Sequence, residues 1–407
     1  DMTTGTIWKK LLFFAIPILL ANILQQLFST VDTAIIGALE SSTALAAVGS
    51  VASLVALVTG FFIGISTGAA VVVSRRWGVL LAERAKDTPD EAMLRSDEKA
   101  VRDAVHTSFV IALIMGVVVF LLGIIISPLL LTLMNSPETV RPLSLIYLRI
   151  YFFGMIPIML NTTAAGILRA IGDSNRPFIY LAIGGLTNVI LELITIGVFR
   201  LGVIGAALSL VLSNLVTTSL SLNRLLRAND CYKLNPRYLS LNRQMLPSII
   251  KIGIPTGIQS TLFAISNLAI QTKINIFGED AMAGVAAVGT LNGFLYMPIA
   301  AFGLASMTFA GQNFGAGKPE RVNKAVKSAL AMVMSFDIVL GIIILFAAES
   351  LISIFTQGNA EAVRNGMMMI NLLAPTYFLF APTEVLSGAI RGAGAALQST
   401  ALTAFFI

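Results

Sequence analysis

Five ionisable side chains stand well inside long apolar runs of this chain: Asp32, Arg149, Glu192, Asp337 and Glu384. Charge in an apolar setting is costly, and where it is kept it marks ion pathways, proton relays or counter-charges. Asp32 lies 15 residues past Pro17, and Glu192 lies 15 residues past Pro177. At about 1.5 Å per helical residue the two carboxyls reach a similar depth if their helices run the same way. Asn188 stands one turn before Glu192 on the same helix face. Asp32, Asn188 and Glu192 together make an oxygen-rich set that suits a cation such as Na+. The same set suits a shared proton, because crowded like charges do not both stay ionised. The bland alternative is that Asp32 and Glu192 sit near helix ends and are merely hydrated. Arg149 either pairs with these carboxylates or snorkels outward. Asp337 and Glu384, in the second half of the chain, face either a cavity or each other.

The elements that position these groups follow from composition. Of 407 residues, 56% are hydrophobic and only 12% charged, with a mean hydropathy of +0.87. A soluble domain carries about 25% charged residues, so there is too little polar surface to coat a globule of this size. Ten apolar runs are long enough to cross a bilayer, which takes roughly 20 residues. They are Leu11–Gly37, Ala44–Ser74, Ala104–Leu131, Leu143–Ala170, Phe178–Phe199, Leu201–Leu222, Ile249–Phe277, Ala281–Ala310, Ala325–Ala348 and Gly366–Ile390. An eleventh begins near Ala395. Lipid leaves no partner for open backbone groups, so the runs are read as helices and the chain as an all-α, polytopic membrane protein. With the N-terminus in the cytoplasm, 22 of the 27 Lys and Arg residues fall at cytoplasmic helix ends. Only Arg141, Arg149, Arg200, Lys273 and Arg364 do not, which fixes the expected orientation. The net charge of +6 is spread between apolar runs rather than over one soluble face, so nucleic acid is not the expected partner. Cys231 is the only cysteine, and no intramolecular disulfide can form.

The two halves repeat. Leu45-Ala46-Ala47-Val48-Gly49 matches Val285-Ala286-Ala287-Val288-Gly289 at an offset of 240, and Pro17 matches Pro255 at 238. Trp77-Gly78 matches Phe314-Gly315 at 237. Gly166-Ile167-Leu168-Arg169 with Gly172 matches Gly388-Ala389-Ile390-Arg391 with Gly394 at 222. Both halves start on the same side, so the repeat is parallel, about an axis along the membrane normal. The expected organisation is a first lobe over 1–226, a cytoplasmic linker over 227–247 and a second lobe over 248–407. The drop in offset predicts a polar, helix-prone cytoplasmic insertion of about 15 residues in the first lobe near 79–95. The repeat also predicts two six-helix bundles, the second incomplete, with about 10.5 membrane helices present and one and a half beyond Ile407. Pro17 and Pro255 each remove a backbone hydrogen bond and are candidate hinges.

Lesser motifs read more plainly. Gly60, Gly64 and Gly68 form a double GxxxG stripe, expected to serve helix packing. The stretch from Gly311 to Lys318 misses phosphate-loop spacing by one residue and has Pro319 where a hydroxyl residue is needed, so it is read as a helix cap and turn. His106, alone, makes no metal site. Asn161 fits a glycosylation pattern but lies inside a span.

The motif Val31-Asp32-Thr33-Ala34-Ile35-Ile36-Gly37 after Pro17 resembles the first helix of the MATE family, the multidrug and toxic compound extrusion transporters of bacterial type. Gly311-Gln312-Asn313-Phe314-Gly315-Ala316-Gly317 and the Asn188/Glu192 pair are similar to that family as well. The resemblance implies a V-shaped pair of lobes with alternating access. It implies export of organic cations in exchange for H+ or Na+, from the inner (plasma) membrane, by a monomer without cofactors. Leu210 stands where the family pattern often has threonine, with Ser209 or Ser213 as substitutes. A lipid-linked saccharide flippase of the same superfamily would want basic residues lining its cavity, and a membrane-embedded enzyme would want a clustered metal or nucleophile set. The sequence displays neither.

Overall fold

The computed structural model describes residues 1–40, 42–134, 137–356 and 358–406. Among them run thirteen α-helices: α1 Ile7–Leu39, α2 Ser42–Arg84, α3 Glu91–Leu133, α4 Arg141–Phe153, α5 Met155–Ala170, α6 Asn175–Glu192, α7 Gly202–Leu226, α8 Met245–Ile274, α9 Glu279–Gly315, α10 Pro319–Phe355, α11 Ala360–Leu373, α12 Ala381–Gly392 and α13 Ala396–Phe406. Eight of these are long and apolar enough to cross a membrane singly.

Two spans that the sequence presents as continuous are broken. The fourth bends by 47° between α4 and α5, and the tenth by 53° between α11 and the turn Tyr377–Phe380 that leads into α12. Each break has a local cause. Gly154 sits between α4 and α5, and a Cβ there would lie 2.6 Å from a methyl of Val211 on α7, so the close approach needs the bare Cα. In the tenth span Pro375 lacks an N–H and cannot donate to the carbonyl of Asn371, although Ala374 itself keeps helical angles. By contrast α1 passes through Pro17, and α8 through Pro255, as single helices. The fifth span continues beyond α6 as a π-helical turn, Leu193–Val198, that begins directly after Glu192.

The repeat is visible in the caps. Gly172 and Gly394 both adopt positive φ, +98° and +90°. Each lets the next N–H reach back into the preceding helix, Asp173 to the Leu168 carbonyl at 2.9 Å and Ala395 to that of Ile390 at 3.1 Å. Gly317, at φ +69°, ends α9 in the same way, with the Lys318 N–H on the Asn313 carbonyl at 2.8 Å. That is the cap expected for the Gly311–Lys318 stretch.

The halves meet where small residues let backbones touch. A Cβ at Gly64 would lie 2.2 Å from the Gly257 nitrogen, and one at Gly68 would lie 2.6 Å from that of Gly253. The glycine stripe of α2 therefore packs on a matching Gly253/Gly257 stripe of α8, which sequence reading did not single out. α1 straddles the halves. Leu11, Phe14, Ala15 and Ile18 are buried with Phe302, Phe309, Val333 and Val385 of the second half. Farther along, Phe28 presses on Gly185 of α6, where a Cβ would fall 2.0 Å from its ring.

The stretch 79–95 is the end of one helix, the start of the next and a short connection, 85–90, between them. α2 runs on to Arg84, and α3 starts at Glu91 with the Asp90 carboxylate accepting from the Ala92 and Met93 N–H groups. Arg84 pairs with Asp230 at 2.9 Å and Glu98 at 2.8 Å, tying this corner to the connection between the halves. The Arg84 guanidinium holds the Asp230 carboxyl below the ordinary carboxylate range. His106 also braces that connection: one ring nitrogen contacts the Arg102 carbonyl at 2.7 Å, and the other accepts from the Asn235 N–H at 3.1 Å.

Candidate functional site

A cavity of about 650 Å³ lies wholly within the helices of the first half. α1 contributes Gln25, Ser29 and Asp32; α6 contributes Asn188 and Glu192; α7 contributes Ser213. The 4-then-3 spacing of Gln25, Ser29 and Asp32 puts a polar stripe on one face of an otherwise apolar helix. Asn188, Glu192 and Ser213 are all buried.

The amide of Asn188 joins the two acids. Its Nδ2 donates to Asp32 Oδ1 at 2.9 Å and to Glu192 Oε1 at 3.3 Å. Its Oδ1 accepts from the Ser213 hydroxyl at 3.2 Å. The carboxyl groups of Asp32 and Glu192 also meet each other directly. Glu192 Oε2 is buried with no hydrogen-bond partner among the described residues. Two acids in contact, with one oxygen unused, need a proton or a small cation between them to hold together. The expected trio is thus brought into one cluster. Of the two hydroxyl candidates, Ser213 joins it, while Ser209 bonds Thr195 at 3.0 Å on the next turn of α7.

Other candidates land elsewhere. Arg149 is exposed on the outer face of α4 and makes no ion pair with the acids; it is two residues from the inward-facing Tyr147 and so points away. Glu384 lies 3.7 Å from Arg391, whose guanidinium also donates to the Gln259 side chain at 3.0 Å. These groups line a smaller cleft of about 200 Å³ that includes Ile63 and Thr67 of the first half. Asp337 is buried inside the second half, apart from both cavities. Asn161 accepts from Ser221 at 2.9 Å and lines the large cavity. Sequence reading missed Tyr147 and Tyr151, whose rings stack 6.4 Å apart on the cavity wall. Their i, i+4 spacing on a broken span was the available signal.

At the end where the basic residues gather, the halves are tied together. Gln312 of α9 accepts from the Met2 N–H at 3.0 Å and donates to the Ala170 carbonyl at 2.7 Å. Asn313 donates to the Met2 carbonyl at 3.0 Å, and Lys318 to that of Thr3 at 3.1 Å. A Cβ at Gly78 would lie 2.0 Å from the Gln312 carbonyl oxygen, and one at Gly315 would lie 2.1 Å from that of Arg75. Gly78 and Gly315 are repeat-related, as are Arg75 and Gln312 at the same offset of 237, so the seam is two-fold in character.

The family model MatE matches residues 17–88, 95–194 and 255–407. The chain belongs to the MatE family. It is a membrane transporter of that family and not an enzyme. Among curated MatE relatives, the "Probable multidrug resistance protein YoeA" of Bacillus subtilis is 27% identical over 99% of this chain and 85% of that protein. "Probable multidrug resistance protein NorM" of Thermotoga maritima is 25% identical over 97% and 82%. The "FAD transporter" of Shewanella oneidensis is 25% identical over 87% and 76%. A solved outward-facing conformation of a multidrug resistance MATE family transporter superposes with a TM-score of 0.88 at 22% identity, over 99% of this chain and 86% of that one. That likeness establishes the fold. The stretch 89–94, between two matched segments of the MatE model, covers the end of the turn between α2 and α3 and the first residues of α3.

Proposed function

We propose that the chain is a cation-coupled multidrug exporter, exchanging organic cations for H+ or Na+ by alternating access. The observation that carries this reading is the Asp32–Asn188–Glu192 cluster on the wall of the first-lobe cavity. When a proton or sodium ion binds there, the cluster is neutralised and a cationic substrate loses its counter-charge. By linkage, a bound substrate cation disfavours the coupling ion by the same free energy. The names of the relatives support drug efflux, and two carboxylates on a cavity whose other lining side chains are tyrosines, apolar residues and uncharged polar groups suit a cation better than an anion.

The chain sits, in this reading, in the inner (plasma) membrane with the N-terminus and the tied, basic end in the cytoplasm. The state with that end sealed is outward-facing. Re-orientation to the inside then requires the Gln312 and Asn313 contacts to part. The test is dye efflux from vesicles with proton and sodium gradients imposed separately. The expected result is efflux of a cationic dye driven by one of the two gradients without ATP. Indifference to both gradients, or preference for an anionic dye, overturns the reading.

A further inference from the structure

The mechanism above leaves one buried acid unused. Asp337 lies mid-way along α10, only 2% exposed, and neither carboxyl oxygen has a hydrogen-bond partner among the described residues. It stands on the buried face of α10 that runs Val333, Asp337, Gly341, Ile344. That face passes from one apolar cluster to another: Val333 packs with α1, α9 and α12, and Ile344 packs with α9 and α11. Tyr377 packs against both clusters, so Asp337 is held at their junction, beside the break of the tenth span. One turn beyond it, a Cβ on Gly341 would lie 3.1 Å from the Ala374 carbonyl oxygen, in that break.

An isolated carboxylate at such a place would be very costly as an anion, and among the described residues neither of its oxygens has a partner. From the elements packed against α10, the ionisable groups in the same stretch are Tyr377, Tyr296 of α9 and Glu384 of α12, the last facing Arg391. α11 brings Glu361 and Arg364, paired with each other at its outer start, and α1 has no ionisable side chain between Lys10 and Asp32. A sodium ion would need several free oxygens. Three carbonyls at the break already accept at least one hydrogen bond each: Ile370 from the Ala374 N–H at 2.9 Å, Leu373 from the Thr376 N–H at 3.1 Å, and Leu372 from the Thr376 hydroxyl at 3.0 Å.

We propose that Asp337 is a second proton-binding site, in the second lobe, that exchanges its proton when the break in the tenth span re-angles and admits water. Discontinuous membrane helices are where transporters place their ion sites, because a break frees backbone to move. The chemistry is a single reversible protonation of one carboxylate, with no bond to substrate. This rests on the antiport reading and deepens it: a transport cycle would then move two protons, one through each lobe.

The experiment uses the protein in lipid nanodiscs and in proteoliposomes. Infrared difference spectra across a pH titration report the C=O stretch of protonated carboxylic acids, in the unmodified protein and in Asp337→Asn, Asp32→Asn and Glu192→Gln. The expected result is a buried-acid component that vanishes in Asp337→Asn, survives in the first-lobe variants and does not respond to Na+. In proteoliposomes, Asp337→Asn should drop the proton count per substrate from two to one. Substrate accumulation then falls about tenfold per pH unit of imposed gradient, the free energy of one proton. An unchanged infrared band and an unchanged proton count in Asp337→Asn, in a protein that is proton-driven, overturns the site and spares the antiport reading. A band that moves with Na+ instead of pH also overturns it. Absence of proton coupling in the unmodified protein defeats the two-proton cycle and the proton form of antiport, while the infrared band still decides whether Asp337 holds a proton. Asn matches Asp in volume and removes the buried charge, so an unchanged melting temperature is the folding control.

Discussion

Asp32 and Ile270 hold the same place in two repeated helices, separated by the 238 residues that also separate Pro17 from Pro255. In the first lobe that place meets Asn188 and Glu192 and lines a cavity of about 650 Å³. In the second lobe it is an exposed isoleucine. The same asymmetry holds on the fourth and tenth spans, where Tyr147 and Tyr151 are answered by Met369 and Leu373 at the offset of 222. The second lobe is not empty of charge; it has Asp337 where the first has Met115, and Glu384 where the first has Thr162. Duplication thus preserved the helix breaks and caps while the ionisable groups settled at different points of the two copies. A shared backbone does not impose a shared site.

The comparison can be broken first at the seam that holds the lobes together. Gly64→Leu should lose folded protein altogether, since even a Cβ there meets the Gly257 backbone at 2.2 Å. Overpacking usually costs about 1–3 kcal/mol, and backbone cannot step aside as a side chain can. Gly60→Ala, with its nearest neighbour at 3.6 Å, should leave the yield of monodisperse protein unchanged.

Within the first lobe, Asn188→Leu removes the donor to both acids. Each hydrogen bond to a charged group is worth about 1.5–3 kcal/mol, so gradient-driven transport should fall tenfold or more. The matching measurement is initial efflux rate at saturating gradient, and a rate within twofold of normal would mean the amide is not part of the coupling cluster.

A milder change sharpens the contrast between the lobes. Tyr147→Phe keeps the stacked ring and loses only the hydroxyl, so apparent substrate affinity should shift a few-fold. Met369→Leu, its counterpart, should shift nothing. Equal effects of the two would argue that substrate contacts both lobes alike.

The smallest effect is expected at the corner formed by Arg84 and Asp230, both about one-third exposed. Such pairs contribute about 1 kcal/mol or less. Because the Asp230 carboxyl is held below its ordinary value, its contribution is present above the free value of about 3.9 and is lost as pH falls through the lowered one. Asp230→Asn should therefore lower the melting temperature slightly near pH 7, with the difference shrinking as pH falls below the free value. A larger loss at low pH than at neutral pH would reverse the sign.

Much of this arrangement was legible in the chain itself. Apolar run lengths marked the spans, and the depth of Asp32 matched to Glu192 placed two acids at one level before any coordinates. Span continuity was not legible: Gly154 and Pro375 look like ordinary residues of membrane helices until a neighbouring helix presses on one and the missing N–H of the other opens the hydrogen-bond ladder. The partner of the α2 glycine stripe was equally hidden, because Gly253 and Gly257 declare a packing face only once α8 crosses α2. The sequence left Arg149 open between pairing with the acids and facing outward for a related reason. Depth along a helix is set by residue count, but the direction a side chain faces depends on which neighbours surround that helix.

The most direct test of the central claim is gradient-driven efflux of a cationic dye by Asp32→Asn and Ile270→Asn, side by side in proteoliposomes at matched protein density. With the coupling site in the first lobe, Asp32→Asn should be folded and inserted yet unable to concentrate dye against a gradient, and Ile270→Asn should be indistinguishable from the unmodified protein. Normal gradient-driven efflux by Asp32→Asn would contradict the account and leave the second-lobe acids, Asp337 or Glu384, to carry the whole of the coupling.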